Sequence, residues 1–228
     1  MTSEPESPAS QIFPLAHPPP KTTQCLRFTP RLVLQIQQLA PSTGRPVPVL
    51  EVLRPSRLAK CVDVGGAASR VKLSARGLYI AQSEPYLHLA ANATAGRYDV
   101  VGAIPALSAS AARDMLHLVS CADPCAITST PRGYRFHLPG DDGGKILEWA
   151  KRPRSADEDK GDRFVLGIVA AEDLRRPWLA TLTKRGLKVP PWDRPQREYL
   201  AADEATIYTW VLTMGVYVAA REGWINAV

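Results

Sequence analysis

Asp203-Glu-Ala-Thr-Ile-Tyr-Thr-Trp-Val-Leu-Thr-Met-Gly-Val-Tyr-Val-Ala-Ala-Arg-Glu222 decides how the rest of the chain is read. Sixteen residues from Ala205 to Ala220 carry no charge, and the apolar ones do not keep to one face. Ile207, Val211, Met214 and Val218 form one helical stripe, and Trp210, Leu212, Val216 and Tyr217 cover most of the remaining surface. A helix that is apolar all round either spans a membrane or sits at the centre of a core. A span needs about 20 apolar residues, and Thr206, Thr209 and Thr213 dilute this stretch. Asp203 is suited to cap the helix N-terminus, with Glu204 in the first turn. Arg221 suits the other end, and Gly223 supplies a stop. The expectation is a helix at about 203–222 that a sheet encloses.

What precedes it reads as strands and turns. Among 228 residues, 21 are proline and 15 glycine, which suits a turn-rich β protein more than a helical bundle. Arg31-Leu-Val-Leu-Gln-Ile-Gln-Gln-Leu39 alternates, with Leu32, Leu34 and Ile36 on one side. Pro41–Pro46 turns the chain into a second strand, Val47–Leu53, to make a hairpin. Arg70–Ser74, Leu78–Ala81 and Arg97–Ile104 are further candidate strands; residues 108–120 are read as a short helix or a loop leading into a strand. Tyr134–Leu138, Lys145–Lys151, Phe164–Val169, Trp178–Thr183 and Leu187–Val189 complete the set, with a loop over Pro190–Pro195. About ten strands thus precede the helix. A helix of this length and strands of about nine residues both span about 30 Å. A closed antiparallel barrel around the helix satisfies the sheet edges and the helix surface together. Residues 1–24, with prolines at 5, 8, 14, 18, 19 and 20, read as a disordered tail, so the domain is expected over 25–228.

The signals for chemistry are sparse. The net charge of +6 is scattered, with no nucleic-acid-binding motif beside it. Cys25, Cys61, Cys121 and Cys125 lack the paired spacing of a zinc site, and no spaced histidines accompany them, so no metal or cofactor is expected. No Gly-x-Ser-x-Gly elbow, phosphate-cradling glycine loop or His-Glu-x-x-His occurs, and no catalytic residue is assigned. No apolar signal segment is visible at the N-terminus, and the expectation is an intracellular protein, cytoplasmic or nuclear or peripheral to a membrane. Pro18-Pro-Pro-Lys21 has the composition of a polyproline II ligand for a protein partner, set against a plain solvated tail.

One charged region invites a binding role. In the loop after Lys151, the run Asp157, Glu158, Asp159 and Asp162 does not have the spacing of a calcium loop. Lys151, Arg152 and Arg154 offer cations to a phosphate head group. Lys184, Arg185 and Lys188 join them if those strand ends meet. These six residues are the candidate anion-binding set, and a solvated loop of mixed charge is the competing reading.

Lys145-Ile-Leu-Glu-Trp-Ala-Lys-Arg-Pro-Arg154, Phe164-Val-Leu-Gly-Ile-Val169 and Leu179-Ala-Thr-Leu-Thr183, followed by an apolar C-terminal helix, resemble the second half of the tubby C-terminal-like superfamily. That superfamily includes tubby, the phospholipid scramblases and the plant LURP-one-related proteins. Arg45–Leu53, Arg176–Thr183 and Val216–Trp224 resemble uncharacterised filamentous-fungal proteins of this kind. The resemblance covers roughly 25–225 and implies a twelve-stranded barrel around the C-terminal helix. It further implies a non-catalytic domain that binds anionic lipid head groups, phosphoinositides among them, or serves as an interaction scaffold. The alternative is a scramblase-like membrane protein anchored by its C-terminal segment, although the cysteine-rich and calcium-binding stretches of scramblases are not evident in this chain.

Overall fold

In a computed structural model, residues 10–18, 29–39, 44–56, 60–64, 70–83, 100–107, 114–140, 144–152, 162–169 and 178–225 are described. They form fourteen strands and two helices. Twelve strands close into one antiparallel barrel. In chain order these are β1 (Gln11–Ala16), β2 (Arg31–Leu39), β3 (Pro46–Arg54), β6 (Leu78–Gln82), β7 (Val100–Ile104), β8 (Asp114–Leu118), β9 (Cys125–Thr130), β10 (Gly133–Leu138), β11 (Lys145–Arg152), β12 (Arg163–Ile168), β13 (Trp178–Thr183) and β14 (Gly186–Val189). Neighbours round the wall follow the order β1-β14-β13-β12-β11-β10-β9-β8-β7-β6-β3-β2. The two remaining strands, β4 (Cys61–Asp63) and β5 (Arg70–Lys72), pair only with each other.

Burial alternates along β10, as expected, and along much of β11, β12 and β14, whereas in β13 Leu179 and Ala180 are buried in succession. Phe136 and Leu138, Leu147 and Trp149, Phe164 and Leu166, and Leu187 and Val189 are buried, while their neighbours along each strand are more exposed. The hairpin β2–β3 is also present, with bulges between Leu32 and Leu34 and between Ile36 and Gln37. The first bulge sends Leu32 away from Leu34 and Ile36, so the expected single apolar side is split. Leu34 and Ile36 enter the main core, and Leu32 joins a smaller cluster with Leu53, Tyr79, Ala81, Ala103, Val71 and Leu73. That second cluster explains why β6 is buried at four successive positions: Leu78 and Ile80 belong to one core, Tyr79 and Ala81 to the other.

Three expectations are corrected. The supposed tail contains β1, which pairs with β14 through Gln11–Pro14 and with β2 through Leu15 and Ala16, and so closes the barrel. Its proline count hid an alternation in which Phe13 is buried and Ile12 faces out. Pro14 has no N–H to donate and stands where β1 changes partner, a place where that loss costs little. Of the two readings of 108–120 the helix is the one overturned: Asp114–Leu118 is a strand, with Asp114, Leu116 and Leu118 buried on a period of two, and residues 108–113 lie outside the described set. The loop at 190–195 runs into a helix, α1 (Arg194–Leu200), capped by Asp193 in a reciprocal pair with Gln196. Pro195 falls in its first turn, where a missing N–H is tolerated.

The second helix, α2 (Glu204–Arg221), is the stretch quoted at the outset. The Asp203 carboxylate accepts from Thr206 N at 2.9 Å and from Thr206 Oγ1 at 2.7 Å. Gly223, at φ +69, ends it, and Trp224 N donates to Ala219 O at 2.8 Å. Every residue from Trp210 to Ala219 is buried. Its contacts reach strands spread round the wall: Tyr208 with Phe13 of β1, Thr213 beside Gly102 of β7, Tyr217 with Asp114 of β8 and Phe136 of β10. The helix and the inward residues of the wall form one continuous core.

Candidate functional site

The ladder register determines which side chains share the outer wall. Arg152 is level with Arg163, Arg163 with Thr183, and Thr183 with Gly186, so the Lys184–Arg185 turn stands at the same end of the barrel. The next outward row runs Ala150, Val165, Thr181, Lys188 and Ile12. Below it, Glu148 is level with Gly167 and Gly167 with Trp178. Strands lie about 4.8 Å apart and rise about 3.3 Å per residue, so this face is about 19 Å wide and about 13 Å from Arg152 to Glu148.

The strand ends meet, the condition on which the candidate set depended, and four of the six candidate residues share this face: Arg152, Lys184, Arg185 and Lys188. Lys151 does not belong with them. It sits on the alternate side of β11, its Nζ 2.9 Å from Asp162 Oδ2, 3.5 Å from Glu222 Oε2 and 5.7 Å from the centre of the Phe164 ring. The hydrogen bond to Asp162 pushes its ammonium pKa up, so the charge is committed to local partners. Arg154 lies outside the described residues, as do Arg175, Arg176 and most of the charged loop.

Sequence reasoning missed Arg163 and undervalued Trp178. Arg163 lies eleven positions from Arg152 in sequence, and only strand pairing puts the two guanidinium-bearing residues opposite each other. Like charges at directly opposed positions destabilise a sheet, and an anion between them removes that repulsion. Trp178 is 40% exposed, whereas Trp149, Trp192, Trp210 and Trp224 are each 9% exposed or less. Ile12, on the neighbouring row, is 50% exposed.

The two carboxylates bordering this face among the described residues are both engaged. Glu148 Oε1 lies 3.4 Å from Arg135 Nε and accepts from Thr130 Oγ1 at 3.3 Å, and Asp162 is held by Lys151. Among the described residues the face thus carries five outward cations, counting Arg163, and both Glu148 and Asp162 are partnered. Between Arg152 and Trp178 the wall is indented by a groove of about 340 Å³, bordered by Glu148, Ala150, Val165 and Gly167. A bulge between Leu166 and Gly167 and the missing side chain at Gly167 leave that space.

A second, buried polar cluster lies at the end of α2. Tyr217 OH donates to Asp114 Oδ2 at 2.9 Å, Arg221 Nη2 donates to the same oxygen, and Arg221 Nε donates to Tyr217 OH at 3.0 Å. Asp114 is buried and Arg221 nearly so, which fastens the end of α2 to β8. Burial pushes the Tyr217 phenol pKa up. Cys125 is fully buried and its thiol is pushed up to about 12, first by burial and then by neighbouring Cys121. A thiol in that state is a poor nucleophile and metal ligand. Among the described residues, no three histidine, cysteine or carboxylate side chains gather into a metal-binding group.

Comparison with protein-family models, with curated proteins and with solved structures found no match for this chain.

Proposed function

We propose that the protein is a non-catalytic binding domain that docks on anionic lipid surfaces through the β11–β14 wall and β1. The observation that carries this reading is the register gathering Arg152, Arg163, Lys184, Arg185 and Lys188 around exposed Trp178 and Ile12, while the bordering carboxylates are partnered. Cations draw such a face to phosphate head groups, and an exposed indole and an aliphatic side chain suit the interfacial layer beneath them. Each basic residue near an anionic leaflet contributes about 1 kcal/mol, so five give up to about 5 kcal/mol at low salt. That sum is screened as ionic strength rises. The resemblance to tubby-like domains points the same way.

The helical-anchor alternative is the weaker reading. Among the described residues, no helix is long and apolar enough to cross a membrane, and α2 is buried from Trp210 to Ala219. Liposome flotation tests the proposal. Recovery on phosphatidylcholine vesicles containing phosphatidylserine or a phosphoinositide should exceed recovery on phosphatidylcholine alone, and should fall in Lys184→Ala/Arg185→Ala and in Arg152→Glu. Equal recovery on all vesicles, unchanged by these substitutions, refutes it.

A further inference from the structure

The groove running from Arg152 to Trp178 has the polarity of an amphiphile. At one end stands Arg152, whose ladder partner just beyond the groove, on β12, is Arg163. At the other is Trp178, the one tryptophan of five with substantial exposure. The floor between them is Ala150, Val165 and Gly167, and Glu148, whose charge would repel an anion, is ion-paired with Arg135 and accepts a hydrogen bond from Thr130. We propose that this groove seats the acyl chain of a single-chain lipid with a phosphate-monoester head, the head between Arg152 and Arg163 and the chain lying toward Trp178.

An extended acidic peptide is the obvious rival, and the backbone argues against it. β11 pairs with β12 and β12 with β13 along the groove, so the floor's N–H and C=O groups face their ladder partners. A peptide laid there has no sheet edge to pair with, and its own backbone groups lose water without replacement. A hydrocarbon chain has no such groups to satisfy. Two opposed arginines also match a doubly charged phosphate better than a single carboxylate. The inference rests on the membrane-surface reading and narrows it from a surface to one lipid in one site.

The test uses the full chain and a lysophosphatidic acid whose acyl chain carries bromine, a contact quencher of indole emission, kept below its micelle concentration. Saturable quenching is expected in the wild type and should vanish in Trp178→Phe, because the other four indoles are shielded. Arg152→Glu should weaken the apparent affinity by about tenfold or more. Ala150→Phe, at an outward half-buried position, should fill the groove and abolish saturable quenching while flotation on anionic vesicles persists. An acidic peptide should not displace the lipid. Quenching that is non-saturable, unaffected by Ala150→Phe, or reversed by the peptide overturns the groove assignment. Flotation that persists without saturable quenching sinks the groove alone; loss of selective flotation with saturable quenching intact sinks the surface reading alone.

Discussion

Replacing Arg221 with methionine removes the cation that faces Asp114 and leaves the length of the side chain largely in place. The carboxylate is 1% exposed and the guanidinium 13%, so water cannot substitute for the lost partner. Removing one member of a buried ion pair costs about 3–5 kcal/mol, most of it from stranding the other charge. Against a native stability of about 5–15 kcal/mol, that is a large fraction, and for a chain of this size it lowers the melting temperature by roughly 6–20 °C. Asp114→Leu should cost a comparable amount, by burying the guanidinium and Tyr217 OH against an apolar group. The double variant Asp114→Leu/Arg221→Met should recover most of the loss, because no charge is then left stranded. Urea unfolding followed by tryptophan emission gives the three free energies needed for a double-mutant cycle. Single variants that cost less than about 1 kcal/mol, or a double variant that costs the sum of the two, would refute the view that this pair fastens α2 to the wall.

Three other outcomes follow from the geometry. Gly133 adopts φ +150, and a Cβ there would lie 1.9 Å from the Trp149 carbonyl oxygen, so Gly133→Ala should destabilise the fold by at least about 1–3 kcal/mol in the same urea assay. Iodide should quench mainly the emission of Trp178, and Trp178→Phe should remove most of the quenchable fraction; an unchanged Stern–Volmer slope would contradict its exposure. Cys125 should resist iodoacetamide at pH 8 while Cys121 and Cys61, both half-buried, are modified, as peptide mass spectrometry would show. Its pKa is raised from 9.0 to about 12 on folding, so its contribution to stability is complete below pH 9 and is lost as pH climbs from there toward 12. Cys125→Ala should flatten the stability profile over that interval.

Local signals made part of this molecule legible. The caps of α2 at Asp203 and Gly223, its unbroken apolar run, and the alternation of β10 are all properties of neighbouring residues, and the barrel followed from them. What escaped depends on partners far away. β1 looked like a tail because its prolines dominate its composition, and its pairing residues lie at the other end of the barrel order of the chain. α1 was hidden by Pro195, whose place in a first turn shows only once Asp193 and Gln196 are seen capping each other. The candidate site divides in the same way. Lys184 and Arg185 were readable as a basic turn, but the engagement of Lys151 by Glu222 spans 71 positions, and the pairing of Arg163 with Arg152 requires a register no motif records.

The seam of the barrel also constrains how the chain reaches this structure. Gln11 pairs with Val189, so the first described strand waits for the fourteenth before the wall can close. The helix that fills the core emerges from the ribosome later than every strand around it. Contacts this distant in sequence must meet the entropy of closing a very long loop before any of them is rewarded, which makes for slow folding. Until α2 arrives, the apolar inner faces of the wall have nothing of their own to pack against. A chain whose wall has formed before α2 is made exposes that apolar surface, and such intermediates are prone to aggregate until the helix packs.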